Sequence, residues 1–598
     1  MRRRDMLKGL AALVAAPAGF PSRRAAAAAA STFRRVRPGD AAWPGAADWA
    51  GLNEAVGGNL IAAPAPFAAC ASDPAGAACV EAFANVQNPF YLGDQPGGAQ
   101  LSGWLDAWTP APSAYAVKAR HAGDVAAAVN FARDHALRLV VKGAGHSYQG
   151  TSNAPDSLLI WTRAMNAVTL HDAFTPQGCE GKLAPCAAVS AGAGAVWIDL
   201  YHAVTTEAGR YVQGGGCADV GVAGLVQSGG FGSFSKTFGT VAAGLLEAEI
   251  VTADGAVRIA NPAMNPDLFW ALKGGGGGSW GVVTRATLRT HDLPEFFGGV
   301  FGSITARSDE AFRRLIARAL GFYGEALFNP TWGEQLVFGP DNVLKLSMLC
   351  QGLDEAAANA VWRPFFDWVA AAPQDFALSP GHGLRVLPAR RLWDVASNPF
   401  MVADPRPGAP KHHGWWRGDQ DQAGAFLHGY ESVWLPASLL QDAERGRLAG
   451  ALFAASRRKK VELHFNKGLA GAPDEAIAAA RDTATHPGMT EAFALAIISG
   501  GEPPRFAGLP RPALDVAAAR RDAGAIDAAA AHLRRVAPDA GSYVSESNYF
   551  NARWQEAFWG PNYPRLRAVK AKYDPDGLFF VRHGVGSEAW SADGFERL

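Results

Sequence analysis

Between residues 115 and 291 short apolar runs alternate with stretches of helical period, the pattern of strands interleaved with helices. Asp124 is placed to cap an Ala/Val helix running to about His135, and residues 137–142, Leu-Arg-Leu-Val-Val-Lys, read as a strand that ends in a glycine loop. Further strands are expected at 157–161, 187–190 and 247–252, the last followed by an Asp254-Gly255 turn, with helices at about 196–207 and 266–272. After Pro294 the texture changes. Longer helices near 310–323 and 355–371 alternate with strands such as 343–348 and 461–465, which places a second domain there. Residues 398–421, rich in Pro, Gly, His and Trp, read as a long surface or lid loop. From Tyr543 onwards short helices and Pro/Gly turns return, and no internal repeat is visible.

Composition narrows the class. With 49% hydrophobic and 18% charged residues in 598, the chain can bury a large core and is not a disordered protein. Lys plus Arg and Asp plus Glu are 55 each, so nothing suggests a polyanion partner and nucleic acid is disfavoured. The N-terminus puts charge first and apolar residues second. The string Arg3-Arg4-Asp5-Met6-Leu7-Lys8 looks like a twin-arginine export signal, and the uncharged run 9–20 spans only about 18 Å as a helix, too short for a membrane anchor. Cleavage after Ala16-Pro17-Ala18 or within the run of alanines at 25–30 leaves a periplasmic or secreted protein with no anchor. An oxidising destination makes Cys70 with Cys79, and Cys179 with Cys186, expected disulfides. Cys217 and Cys350 remain, either bridged to each other or free.

Three glycine clusters carry the chemistry. The first, Lys-Gly-Ala-Gly-His-Ser-Tyr-Gln-Gly-Thr-Ser at 142–152, sets His146 just past a strand end on a backbone that can approach a ligand closely. The second runs from Gly214 through Cys217 and Gly224 to Gly239, so much glycine that the backbone must press against something. The third contains a formal GxGxxG at Gly276, Gly278 and Gly281. A dinucleotide fingerprint needs strand, glycines, then helix, whereas here a helix runs into the glycines and a strand follows, so a structural turn is expected. No Walker A or HExxH occurs, no GxSxG nucleophile elbow precedes a helix, and no metal site is expected, since Lys411-His412-His413 has no evident third ligand.

In this order the segments resemble the berberine-bridge-like branch of the vanillyl-alcohol-oxidase flavoproteins, over about 115–293 and again from Trp554 to Asp576. The resemblance implies an α+β fold of two domains. An FAD-binding domain would be built from residues 31–293, its core at about 111–293, completed by 541–598, and a substrate domain of a sheet covered by helices would span 294–540. It further implies FAD tethered through His146, with Cys217 matching the cysteine that joins flavin C6 in bicovalent members. Around the cofactor it places Lys142, Gly143, Ala144, Gly145, Ser147, Gln149, Gly150 and Ser152 from the first loop. From the second segment it places Gly216, Val220, Gly221, Gly224, Ser228, Gly229, Gly232 and Gly239, and from the C-terminal stretch Asn562 and Tyr563. Val220 lies where a small side chain goes with oxygen reactivity in the family, which favours an oxidase.

The implied reaction passes a hydride from a small alcohol, sugar or amine to the flavin, with molecular oxygen as the final acceptor. It needs a base within hydrogen-bond reach of the substrate. Glu546, similar to the acid of an Asn-Glu-x-Asp segment in a microbial subgroup, is the first candidate, ahead of Tyr549 and His464. A dehydrogenase with another acceptor and a flavin-binding protein without turnover are the alternatives.

Overall fold

A computed structural model describes residues 33–598; the export signal expected over residues 1–30 lies outside the described residues. Two sheets make up the first half. In the smaller, the strands Leu60–Ile61, Tyr115–Lys118, Ser157–Trp161 and Arg138–Lys142 lie in that order, the last three parallel. The helix Ala122–Asp134 covers it, burying Val125, Ala128, Val129 and Ala132 at helical spacing against Leu139, Leu158 and Ile160. Each fully buried valine there contributes about 1.5–3 kcal/mol. The second sheet is antiparallel, in the order Val257–Ala260, Leu245–Val251, Val282–Asp292, Cys186–Gly192, Val168–Phe174.

The second half is organised on a nine-stranded sheet whose centre runs Phe296–Ala306, Val343–Gln351, Trp332–Phe338, Val461–His464, Ala492–Glu502, Phe426–Pro436. The helices Asp309–Phe322, Glu355–Ala370, Asp442–Ser456 and Val516–Arg534 share one apolar core with it. The short strand Gly103–Trp104 joins this sheet beside Phe426–Pro436, so the N-terminal segment contributes to the nine-stranded sheet as well as to the first half.

The C-terminal segment packs on the first half. Leu566 and Val569 of the helix Tyr563–Tyr573 enter its core, and Trp559 Nε1 donates to the Gly274 carbonyl at 3.0 Å. Lys570 ties the segment down by donating to the carbonyls of Ser279 and Phe579 and to Asp574. The two halves are stapled by a buried lysine. Lys236 Nζ crosses to the carbonyls of Gly468 and Ala470 at 2.7 and 2.6 Å, and the Thr237 hydroxyl donates to Pro330 at 2.6 Å. No helix among the described residues is long and apolar enough to cross a membrane.

Several expectations need correction. The helix at 122 begins earlier than expected: His121 is its N-cap, its ring accepting from the Asp124 amide, while Asp124 is buried in the first turn and accepts from Arg120. A carboxylate there still complements the helix dipole, but it does not cap. The helix expected at 196–207 changes pitch after one turn, Trp197–Tyr201 being α-helical and His202–Glu207 a π-helix. The Cys70–Cys79 disulfide is present, whereas Cys179 and Cys186 are free. Cys179 sits in a turn whose carbonyl accepts from Lys182 and Leu183, and Cys186 is held opposite Phe174 in a strand pair, so backbone hydrogen bonding governs both positions. Cys217 and Cys350 are likewise free; Cys350 is buried in the strand Val343–Gln351.

Candidate functional site

A cavity of about 350 Å³ opens where the glycine clusters, the C-terminal segment and the loop at 419–423 meet. Its first wall is the loop after the strand Arg138–Lys142. Gly145 takes φ +84°, a conformation that suits glycine, and lets the chain turn so that His146 faces the cavity. Lys142 is buried and points the other way, donating through Nζ to the carbonyls of Gln95, Pro96 and Gly98 at 2.7, 2.6 and 2.9 Å, which anchors the loop from below. The His146 Nε2–H donates to the buried Asp219 carboxylate, leaving Nδ1 without a protein partner among the described hydrogen bonds.

Asp219 and Cys217 come from the second glycine segment. That segment is held against the turn at Trp197, whose amide donates to the Val220 carbonyl at 3.1 Å, as that of Ile198 does to Ala218 at 2.8 Å. Burial pushes the Cys217 thiol well above its ordinary pKa, and the carboxylates of Asp419 and Asp219 add to the rise. Asp419 faces the thiol from a 3-10 turn, Arg417–Gln422, and its own pKa is pushed up to about 7 by burial and by the Asp219 charge. The loop expected as a lid is thus a short hairpin, Met401–Ala403 with Gly414–Trp416, that carries a carboxylate into the site. His412 and His413 hold it there: both Nε2 atoms donate to one Asp199 oxygen, at 3.0 and 2.9 Å. The sequence offered these histidines no third partner, and the fold supplies one from a turn more than two hundred residues away.

The third cluster is more than a turn. It does lie between the helix Pro266–Leu272 and the strand Val282–Asp292, the order that rules out the dinucleotide fingerprint, yet Gly276, Gly277, Gly278 and Gly281 all line the cavity. A Cβ at Gly276 would meet Trp559 at 3.2 Å and one at Gly278 would meet Val581 at 2.7 Å, with φ of +92° and +76°. Only bare backbone fits there.

The C-terminal segment closes the site with Tyr543, Glu546, Arg582 and His583. Both Glu546 oxygens accept from Lys467 Nζ at 2.6 Å, an ion pair that reaches across from the second half. Of the three expected bases Glu546 alone lines the cavity. Tyr549 stacks under the Arg582 guanidinium at 4.2 Å, and His464 donates to Glu462 at 3.4 Å on the strand Val461–His464. Among the expected cofactor contacts, Lys142, Gly143, Ala144, Gly145, Ser147, Gln149, Ser152, Val220, Gly221, Gly224 and Ser228 join His146 and Cys217 on the wall. Gly150, Gly216, Gly229, Gly232, Gly239, Asn562 and Tyr563 lie behind it. A Cβ at Gly150 would strike Trp108 at 2.5 Å and one at Gly232 the Gly214 carbonyl at 1.8 Å, while Gly229 borders Thr485 and Gly239 ends the helix Ser235–Phe238. Asn562 donates to the Thr485 carbonyl and Tyr563 to Glu588. Asp219, Asp419, Arg582 and Gly276 to Gly278 were missed. Only the glycines carried a signal, their density, and it was assigned to a turn.

The cavity fits a flavin dinucleotide. Gln149 Oε1, Gln227 Oε1, Arg582 Nε and His583 Nδ1 are buried on cavity residues without a protein partner, which suits the polar groups of such a ligand. Gly224 opens on space with nothing within 4 Å of its would-be Cβ, so a larger side chain there would occupy the cradle.

Comparison with known proteins agrees with this geometry. Residues 113–261 match the FAD binding domain family and residues 537–586 the family described as berberine and berberine like. The chain is 30% identical to the VAO-type flavoprotein oxidase VAO615 of Thermothelomyces thermophilus, over 94% of this chain and 95% of that protein. It is 28% identical to the FAD-linked oxidoreductase malF of Malbranchea aurantiaca, over 94% of each. The crystal structure of MtVAO615 from Myceliophthora thermophila C1 superposes with a TM-score of 0.77 at 27% identity, covering 94% of this chain and all of that one. The glucooligosaccharide oxidase of Acremonium strictum, whose FAD is 6-S-cysteinyl and 8α-N1-histidyl, shares the fold with a TM-score of 0.61 at 18% identity, over 82% of this chain and 94% of its own.

Proposed function

Because the chain belongs to the VAO-type, berberine-like FAD-linked oxidoreductases, we propose that it is an exported oxidase of small alcohols or sugars, with FAD held by two side chains, His146 and Cys217. The observation that carries this reading is that both residues line one cavity with Glu546. Bound FAD supplies a hydride acceptor that oxygen can reoxidise, releasing hydrogen peroxide.

The protein does the rest. Asp219 orients the His146 ring and favours the tautomer with its proton on Nε2, so Nδ1 presents its lone pair to the cavity as a nucleophile. Glu546 accepts the proton from the substrate hydroxyl, and Lys467 holds that carboxylate in place before the transfer. Tyr148, half-buried against Tyr430 at 5.3 Å between ring centres, gives the substrate an aromatic wall. Its phenol is held protonated, since burial and the Glu546 charge both raise its pKa, so it donates a hydrogen bond and does not act as base. The hairpin carrying Trp415 and Trp416 packs beside Cys217, Trp416 donating through Nε1 to the Gly216 carbonyl at 2.9 Å. Val220, small at the position the family associates with oxygen reactivity, leaves oxygen a path. The twin-arginine string at 3–8 supports export of the folded, loaded protein.

Acid precipitation tests the tether: yellow colour should stay with the wild-type chain, persist in His146→Ala through Cys217, and be lost only in the double replacement with Cys217→Ala. A screen of alcohols, sugars and amines for peroxide release tests the activity. Slow reoxidation of the reduced flavin by oxygen, with no peroxide, would refute the oxidase reading.

A further inference from the structure

Cys217 is a poor nucleophile as it stands. Burial and two nearby carboxylates keep it a thiol, and the one cation acting on it, Lys467, is paired with Glu546. A thiol bonds through its thiolate, so this one needs a base beside it. His146 is already engaged, because its Nε2 donates to Asp219 and its Nδ1 lone pair is the one assigned to the flavin methyl.

We propose that Asp419 is that base, the group that takes the Cys217 proton while the sulfur joins the flavin. The inference rests on the reading of Cys217 as a flavin anchor. Its ground is how the fold fixes the two residues relative to each other. Trp416, three residues before Asp419, donates through Nε1 to the carbonyl of Gly216, next to Cys217, at 2.9 Å. His412 and His413, at the other end of the strand Gly414–Trp416, bond Asp199. Asp199 sits in the turn Trp197–Tyr201, which is itself bonded to Ala218 and Val220 on the far side of Cys217. The loop is therefore attached on both flanks of the cysteine, and the 3-10 turn Arg417–Gln422 delivers Asp419 against the thiol inside the same cavity. The double-histidine motif, which the flavin chemistry left unexplained, becomes part of this fixture.

The strength of the base suits the task. A carboxylate near its usual pKa would release a thiol proton slowly, whereas one held near 7 is a better match at neutral pH. The charged groups acting on the pair include Asp219, His146 and Lys467 with Glu334 from the strand Trp332–Phe338, and the phenols of Tyr148, Tyr201 and Tyr430, kept neutral by burial, also face the thiol's field. The step balances as follows. The thiol proton passes to Asp419, the S–C6 bond forms, the C6–H bond breaks with loss of its proton, and the two electrons released reduce dioxygen to hydrogen peroxide. Thiol, flavin C–H and oxygen thus give thioether and peroxide.

The test is a time course of bond formation in full-length chain made in riboflavin-starved cells and loaded with FAD in air. Peptide mass mapping reads the His146 and Cys217 attachments separately. For Asp419→Asn at pH 7 the expected result is a His146 bond at the wild-type rate and a Cys217 bond at least tenfold slower, recovering toward pH 10 as hydroxide replaces the base. Asp419→Glu should keep most of the rate. Equal Cys217 attachment in Asp419→Asn and wild type would overturn the proposal, as would parallel loss of both bonds together with bound FAD, the mark of a structural role alone. A wild-type chain that never gains flavin mass at Cys217 would instead refute the anchor reading beneath it.

Discussion

The carboxylate of Asp219, two residues beyond Cys217, accepts from Nε2 of His146, so the two expected flavin anchors are coupled through one buried acid. The same acid raises the pKa of Asp419 on the opposite side. One negative charge therefore orients the imidazole and tunes the base beside the thiol.

Removing that charge should slow the histidine bond. In Asp219→Asn the amide can still accept from Nε2–H but no longer stabilises the positive charge that develops on the ring, and attachment through His146 should fall on the order of tenfold or more. Acid-stable flavin on the His146 peptide, followed over time after FAD loading, measures it.

Glu546→Gln should lower kcat by roughly 10²- to 10⁴-fold, the usual contribution of a positioned base, with bound FAD unchanged. Anaerobic bleaching of the flavin by the best substrate isolates this step from reoxidation. An unchanged bleaching rate would remove Glu546 from the mechanism.

Stability should respond to pH through Asp419. Its folded pKa, about 7, lies above the ordinary 3.8, so the folded state holds the proton more tightly between these values. That contribution is fully present below about pH 4 and is lost as pH rises through 7. Asp419→Asn, neutral at every pH, should therefore melt at the wild-type temperature near pH 4 and above it at pH 8. Calorimetry at both pH values, with Asp419→Asn and its Asp419 parent compared in a Cys217→Ala background so that neither carries a bond at that position, checks the sign.

Replacing Cys70 and Cys79 together by Ser should cost about 2.5 kcal/mol, the chain entropy of a loop this short. Reductant should lower the melting temperature of the wild type and leave that of the double variant unchanged. The Cys179→Ser variant should behave as wild type with and without reductant, because that sulfur is free.

Much of the fold was legible because it is local. The strands at Ser157–Trp161 and Val461–His464 and the helices Pro266–Leu272 and Glu355–Ala370 follow from apolar period and length, which neighbouring residues impose on one another. His146 and Cys217 were visible too, because a reactive side chain among glycines leaves its mark within a dozen positions. The Cys179–Cys186 pairing failed for the converse reason. Short separation permits a bridge, but strand pairing of Cys186 with the Phe174 region sets where the sulfur goes.

The sequence by itself thus determined most of the elements and brought His146 and Cys217 forward as the expected anchors, since each rests on contacts or motifs close along the chain. The tertiary structure alone decided that Asp219 meets His146, that Asp419 reaches Cys217 and that Asp199 receives both His412 and His413. Each of these joins loops many residues apart, and a carboxylate acquires its partner and its pKa from the groups folded around it, which no local pattern encodes.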